Sequence, residues 1–210
     1  MKRILLSIVF AFCAIWVSAQ DMAKVFTSMP DTLIPQLEEA WRKDLIDLFQ
    51  NKKEAKLKNT MNGFSELNNL TADYLQLQLT ERSSIELKLL PLVNNTYIIC
   101  MVTTVSGPVA DSRVAFYSTD WKELPAGDLL TPVADEWFLR EDADTASVGY
   151  IQAVSRLDVD LIKYSLNAEE LTLTAEYTTP LYLSAEEREK VAPFLKESPK
   201  VYRWKTSRFE

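Results

Sequence analysis

Leu75, Leu77 and Leu79 alternate with Gln76, Gln78 and Thr80, and beyond a turn at Glu81-Arg82-Ser83-Ser84, Ile85, Leu87 and Leu89 alternate with Glu86 and Lys88. Successive side chains of an extended chain point to opposite faces, so each run predicts a strand with one buried and one wet face. Pro91 ends the second strand and Asn94-Asn95 turns the chain. Thr96–Val105 is apolar with little alternation, which predicts a central strand covered on both faces. Gly107-Pro108 closes it, and Ser112–Ser118 alternates again through Val114 and Phe116. Four consecutive strands joined by short turns predict an antiparallel meander.

Upstream, Leu33, Leu37, Trp41, Leu45 and Leu48 recur at helical spacing, with Ile34 and Phe49 widening the stripe, so a helix is expected within Asp31–Gln50. Pro30 and Pro35 suit its first turn, where the N–H has no intrahelical partner. Asn51–Asn59 reads as an extension of that helix or as a solvated basic turn. Downstream, Thr119–Thr131 reads as a loop and Val133–Arg140 is ambiguous. Leu157, Val159 and Leu161 alternate with Asp158 and Asp160, and Leu171, Leu173, Ala175 and Tyr177 alternate with Thr172, Thr174 and Glu176, with a hairpin turn at Asn167-Ala168-Glu169-Glu170 between them. Ser184 and Glu187 form a capping box for a helix running to about Leu195, and Val201–Phe209 predicts a last strand. The expected fold class is α+β: an antiparallel β-sheet, made of the meander plus C-terminal strands, with an N-terminal and a C-terminal helix packed on one face. Residues 20–210 are expected to form a single domain, with a loose break near residues 119–150.

The chain begins Met1-Lys2-Arg3, continues apolar from Ile4 to Val17 and reaches Val17-Ser18-Ala19, the order of a secretory signal peptide over residues 1–19. A transmembrane anchor is the rival reading. It is weaker, because about 20 apolar residues are needed to span a bilayer. Cys13 follows Phe12, not the small residue that a lipid-attachment site requires, and is read as part of the apolar run. Without it Cys100 is the lone cysteine, so no intramolecular disulfide is available and the fold rests on its core. Cys100 sits in the most apolar stretch and reads as a buried small hydrophobe.

Without Lys2 and Arg3 the basic count falls from 23 to 21 against 30 acidic residues, a net charge of −9. Nucleic acid is therefore an unsuitable partner, because the phosphate backbone calls for a basic footprint. The chain has no histidine, which removes the commonest general base and metal ligand and with them the usual serine–histidine, cysteine–histidine and zinc chemistries. None of its four glycines forms a phosphate-cradling loop. No cofactor, no metal and no catalytic residue is expected.

Carboxylates remain as candidates. Asp158 and Asp160 would share one strand face and could act as an acid–base pair or bind a cation, although a plain wet face explains them as well. Glu141, Asp142 and Asp144 resemble a calcium loop without its ordered ligand spacing, and a solvated turn is the simpler reading. On the first helix Arg42 with Asp44 and Asp47 forms either a polar site or surface ion pairs. Trp121, next to Asp120, either faces a ligand or tucks over the sheet edge, the second being favoured.

Met29-Pro30-Asp31 leading into Arg42-Lys43-Asp44-Leu45-Ile46-Asp47, then Asp73-Tyr74-Leu75-Gln76-Leu77-Gln78-Leu79, then Ile98-Ile99-Cys100-Met101-Val102-Thr103-Thr104 running on to Asp111-Ser112-Arg113 and Phe116-Tyr117-Ser118-Thr119-Asp120-Trp121 are specific as a set. Through them the chain resembles a domain-of-unknown-function family of small exported proteins from Bacteroides and related gut bacteria, over most of residues 25–140 and more weakly beyond. The resemblance implies export in a host with two membranes and brings no activity and no functional residues. It also implies O-glycosylation wherever an aspartate precedes a serine or threonine and then a small or aliphatic residue, a pattern met at Thr32 and Thr145, of which only Thr145 is expected in an exposed loop. The function expected is that of a non-catalytic binding or interaction module of the periplasm or cell surface, with a protein or envelope component as partner and no stable membrane span after cleavage. The alternative is a histidine-free hydrolase using a carboxylate pair on a glycan or peptide.

Overall fold

A computed structural model describes residues 21–210; the leader expected over residues 1–19 lies outside them. Two helices come first, α1 (Met22–Thr27) and α2 (Glu39–Gln50). Seven strands follow: β1 (Lys56–Lys58), β2 (Phe64–Leu70), β3 (Tyr74–Thr80), β4 (Ser83–Pro91), β5 (Tyr97–Ser106), β6 (Ala110–Ser118) and β7 (Glu123–Leu124). They form one antiparallel sheet in sequence order. The second half contains α3 (Val148–Val154), β8 (Ile162–Leu166), β9 (Thr172–Tyr177), α4 (Thr179–Tyr182), α5 (Ala185–Val191), β10 (Lys200–Lys205) and β11 (Arg208–Phe209). Its strands make a separate sheet in the order β11-β10-β9-β8.

Strand alternation sorts the core into two layers. Leu75, Leu77, Leu79, Ile85, Leu87, Leu89, Ile99 and Met101 pack against Met22, Phe26, Ile34, Leu37 and Leu45 beneath the N-terminal helices. The opposite parity, Tyr74, Leu90, Ile98, Cys100, Val102 and Phe116, packs against Tyr164, Leu173, Tyr202, Trp204 and Phe209 of the second sheet. β5 is thus covered on both faces, as its unbroken apolar run predicts. Each fully buried aliphatic side chain in these layers stabilises the fold by about 1.5–3 kcal/mol.

The α+β class and the antiparallel meander agree with the sequence reading, while the C-terminal elements are placed differently. The large sheet has an apolar second face, and the C-terminal strands cover it as their own sheet instead of extending the meander. α5 does not share the layer of the N-terminal helices. It packs with α3 in a small third cluster built on Ala153, Leu157 and Val191.

Three local boundaries also differ. The helix expected within Asp31–Gln50 starts at Glu39, and the preceding stretch is a set of turns closed by Leu33 N–H to Pro30 O and Leu37 N–H to Ile34 O, both 3.0 Å. Ile34 and Leu37 are fully buried even so, which reproduced a helical stripe without a helix. Asn51–Asn59 turns and then enters β1, whose apolar Leu57 alone faces the helices. The strand expected over Val201–Phe209 breaks at Thr206 and Ser207, which take φ of 48° and 72° and fold β11 back on β10.

Candidate functional site

The carboxylates singled out in the sequence do not converge. Asp158 and Asp160 lie in an irregular segment between α3 and β8, both exposed, and not on a strand. Leu157 is buried with α3 and α5 while Val159 is left 41% exposed, so the alternation there does not mark a sheet face. Glu141, Asp142 and Asp144 are exposed in a turn. Asp142 accepts bonds from Arg140 Nε at 2.9 Å and Nη2 at 2.7 Å, and this pairing holds its carboxyl below the usual range. Asp144 caps the Ala146 N–H at 3.0 Å, and Glu141 pairs with Lys196 at 3.1 Å. Among the described residues no group of three or more side chains is placed to hold a metal ion. Thr145 is exposed as expected, and Thr32 is exposed too, because it falls in the turn that replaces the first helical residues.

Arg42 is neither a polar site nor a surface ion pair. Its side chain is 1% exposed, whereas Asp44 and Asp47 face solvent. The guanidinium donates to Leu37 O at 2.6 Å, Met29 O at 2.5 Å, Thr27 O at 3.2 Å and Asp31 Oδ1 at 2.7 Å. Its planar fork gathers the carbonyls left over by the turns between α1 and α2. Trp121 is buried, as favoured, and its Nε1–H donates to Val25 O at 3.1 Å, tying the corner after β6 to α1. Cys100 is free and fully buried, and burial pushes its thiol well above the usual range.

The alternation assigns Glu86 and Lys88 to a wet face; instead Lys88 is enclosed between the sheets and Glu86 is half-buried there. Lys88 is 1% exposed, donates to Ala168 O at 2.8 Å and pairs with Asp73 at 2.9 Å. Glu86 accepts the Leu166 N–H at 2.6 Å. Burial raises its pKa, and the bonds from Leu166 and Gln76 and the charge of Lys163 oppose that rise. The sequence held one signal for this. Lys88 pairs with Cys100 across β4 and β5, in the strand whose two faces are both apolar.

Several clefts of ligand size open among the described residues, two of them lined by more than one cation. The first, about 590 Å³, lies between α1 and α2. It carries Lys24 and Lys43 against Glu39 and Asp47, and Lys43 is already bonded to Glu39 at 2.6 Å. The second, about 490 Å³, lies at the end of β11 between β10 and residues 131–134. Lys200, Tyr202, Trp137, Arg208 and Glu210 line it. Lys200 Nζ sits 5.4 Å from the Trp137 ring centre and 5.3 Å from that of Tyr202, and no carboxylate among the described residues pairs with it. Lys196 Nζ lies 4.6 Å over the same tryptophan. Tyr202 Oη donates to Thr131 O at 3.1 Å and Arg208 Nη2 to Thr131 Oγ1 at 3.2 Å, fixing the two walls to each other. Burial and the neighbouring Tyr164 push the Tyr202 phenol up to about 12, so it stays a neutral donor. Sequence reasoning missed this cleft because its residues come from segments about 70 positions apart that carry no shared pattern.

A domain of an uncharacterized protein from Porphyromonas gingivalis W83 is similar in structure, with a TM-score of 0.81 and 29% identity over 90% of this chain and 98% of that one. No curated protein matches. No described helix is long and apolar enough to cross a membrane. The profile of the family described as "Protein of unknown function (DUF3256)" matches residues 14–209, well past the 25–140 over which the resemblance was strongest, and the chain belongs to that family.

Proposed function

We propose that the chain is an exported, non-catalytic interaction module of the periplasm or cell surface that holds its partner in the cleft at the end of β11. One observation carries this reading. In a chain of net charge −7 the cleft presents Lys200, a cation steered by two aromatic rings and left without a carboxylate partner. Neutralising such a charge from outside costs the fold nothing, because no internal pair is broken.

The carboxylate-pair hydrolase has no comparable support. Asp142, Asp144, Asp158 and Asp160 are all exposed, and none lines the cleft. Two carboxyl groups working on one glycosidic bond stand roughly 5–10 Å apart across a shared pocket.

The test is a thermal-shift screen of residues 20–210, which contain every described element, against envelope glycans and peptides. A bound ligand stabilises the native state by RT ln(1 + [L]/Kd). The reading expects a shift that Lys200→Glu reduces. A shift that Lys200→Glu leaves unchanged places binding elsewhere. Fractionation of cells that carry the full chain should recover it in the envelope fraction, and retention in the cytosol would overturn the export half of the reading.

A further inference from the structure

β1 is an outer strand of the large sheet and pairs with β2 on one side only. Both of its ends continue into described chain, through the turn after α2 and the turn at residues 59–63. Ala55 O accepts the Leu67 N–H at 2.9 Å, and the Asn59 N–H donates to Gly63 O at 2.9 Å. Ala55, Leu57 and Asn59 therefore turn their peptide groups to β2, and Lys56 and Lys58 turn theirs the other way. Thr60 shares that outward direction and donates to Gln36 O at 3.1 Å, which closes one end of the edge. Among the described residues no group pairs with the peptide groups of Lys56 and Lys58, and both residues are exposed. The edge also carries charge. Lys56 pairs with Glu66 at 3.1 Å, but Lys53 and Lys58 pair with no carboxylate among the described residues, in a chain of net charge −7. On the opposite face of the strand Leu57 packs toward the helices, where it lines a cleft of about 330 Å³ with Leu48, Asp44 and Asp47.

We propose that an extended segment of a partner protein, in which acidic and apolar residues alternate, adds to the outer edge of β1 and runs antiparallel to it. Its acidic residues exchange backbone bonds with Lys56 and Lys58 and lie beside the two ammonium groups. In such an exchanging pair the two residues stand directly opposite each other on one face, and the residue between points to the other face. That intervening residue enters the cleft at Leu48 and Leu57, where Asp44 and Asp47 repel another carboxylate and an apolar side chain fits. Strand addition of this kind draws affinity from main-chain bonds and specificity from pockets for alternate side chains. Lysines on a sheet edge turn away chains of their own sign, so a second copy of β1 is disfavoured where an acidic strand is attracted. The site shares no residue with the cleft at β11 and goes beyond the reading of that cleft.

The experiment measures fluorescence anisotropy of labelled peptides of about eight residues, enough to span an ordinary strand, with residues 20–210. One peptide alternates glutamate and valine, one alternates lysine and valine, and one is the acidic peptide N-methylated at its glutamates. The acidic peptide should bind, and the other two should not. Lys58→Gln removes one charge and should weaken binding about threefold at low salt. Lys58→Pro also removes the outward N–H without touching the bonds to β2, and should weaken binding about tenfold further, the worth of roughly one hydrogen bond. Lys200→Glu should leave the binding unchanged. Thermal melts check that the variants fold, and the N-methylated peptide decides the question if Lys58→Pro does not. Equal binding of the N-methylated peptide overturns strand addition. Binding that Lys200→Glu weakens and the Lys58 variants do not puts the peptide in the cleft at β11 and overturns the proposal. A soluble acidic glycan that binds with Lys58 dependence, while no peptide does, overturns the protein partner. Self-association that Lys58→Pro abolishes puts a second copy on the edge and overturns it too. Absence of binding by the acidic peptide overturns the proposal outright and leaves the reading of the β11 cleft untouched.

Discussion

The carboxylate of Glu86 on β4 accepts the backbone N–H of Leu166 on β8 at 2.6 Å, and Asp111 Oδ1 accepts the N–H of Ile162 at 3.2 Å. Both N–H groups lie on the edge of β8 that faces away from β9. Side chains of the large sheet thus occupy the free edge of the small one, where an unpaired row of backbone groups would invite another chain. The two sheets are joined by this edge as well as by their apolar faces.

The Glu86–Leu166 bond has a pH signature. Burial holds the Glu86 pKa above its reference of 4.5. A carboxyl whose folded pKa is raised binds its proton more tightly in the native state, so its contribution to stability is fully present below the unfolded pKa and falls as pH rises through the interval above it. Glu86→Gln keeps a carbonyl oxygen for Leu166 and removes the titration. Its stability relative to the parent chain should therefore improve as pH rises from about 4.5 to 7, as read from urea midpoints, on the basis of that linkage. A difference that stays flat across this range would show that Glu86 is not held in the buried site. Glu86→Ala leaves the N–H without an acceptor and should cost about 1–3 kcal/mol at about pH 4.5, the cost shrinking as pH rises because the same titration is removed.

Arg42 predicts an asymmetry between two partners of one ion pair. Its guanidinium serves three backbone carbonyls and Asp31, and it is 1% exposed while Asp31 is 57% exposed. Asp31→Ala removes a screened partner and should cost no more than about 1 kcal/mol. Arg42→Met strands the carbonyls of Thr27, Met29 and Leu37 in the interior, and a loss of about 3–5 kcal/mol is expected, in the range for breaking a buried charged network. Arg42→Lys cannot reproduce the planar fork and should fall between the two. Chemical denaturation of the three variants measures the order, and equal losses for Asp31→Ala and Arg42→Met would reject it.

Much of the fold could be read from residues whose neighbours in sequence decide their state. Leu75–Leu79 and Ile85–Leu89 alternate because turns of a few residues pair them locally, and the uninterrupted apolar run of β5 declared two covers. Ser184 and Glu187 form the capping box that their spacing implies. The misreadings share a cause, which is that burial was decided by segments distant in sequence. Lys88 looks wet until Ala168, 80 residues on, is folded over it. Arg42 looks like a surface cation until the turns at Met29 and Leu37 close around it. Leu33 and Leu37 imitate a helix because turns can bury residues at the same spacing. The candidate cleft belongs to this class, since Trp137 meets Lys200 only through the packing of the second sheet.

Trp121 ties α1 to the corner after β6, within the core layer that α1 shares with the large sheet. Its ring is stacked obliquely on Tyr117 at 5.6 Å, and its Nε1–H donates to Val25 O. The backbone there takes φ of 60°, an unusual state for a bulky residue, which the side chain's burial sustains. Trp121→Ala should cost about 3–5 kcal/mol and speed amide exchange in α1 before the sheets open. Trp121→Phe keeps most of the apolar contact, loses the bond to Val25 and should cost about 1–2 kcal/mol. Exchange in α1 that is unchanged in Trp121→Ala would mean that the helix is held by its other contacts.

The turn between β10 and β11 is strained by its own sequence. Lys205 and Arg208 are paired, so Thr206 and Ser207 form a two-residue hairpin loop, and both have positive φ. Such a loop favours asparagine then glycine, because a β-branched residue in the left-handed region sets its side chain against the backbone. This is also why the sequence conceals the turn: Thr206 and Ser207 continue the alternation of a strand and carry no glycine, asparagine or aspartate. Replacing the pair by Thr206→Asn with Ser207→Gly should stabilise the chain by about 1 kcal/mol, by relieving strain that the native packing now imposes. The thermal midpoint should rise while the fold around Phe209, seated in the inter-sheet core beside Trp204 at 5.1 Å, is unchanged. A fall in the midpoint would mean that the hydroxyls of Thr206 and Ser207 contribute more in place than their backbone strain costs.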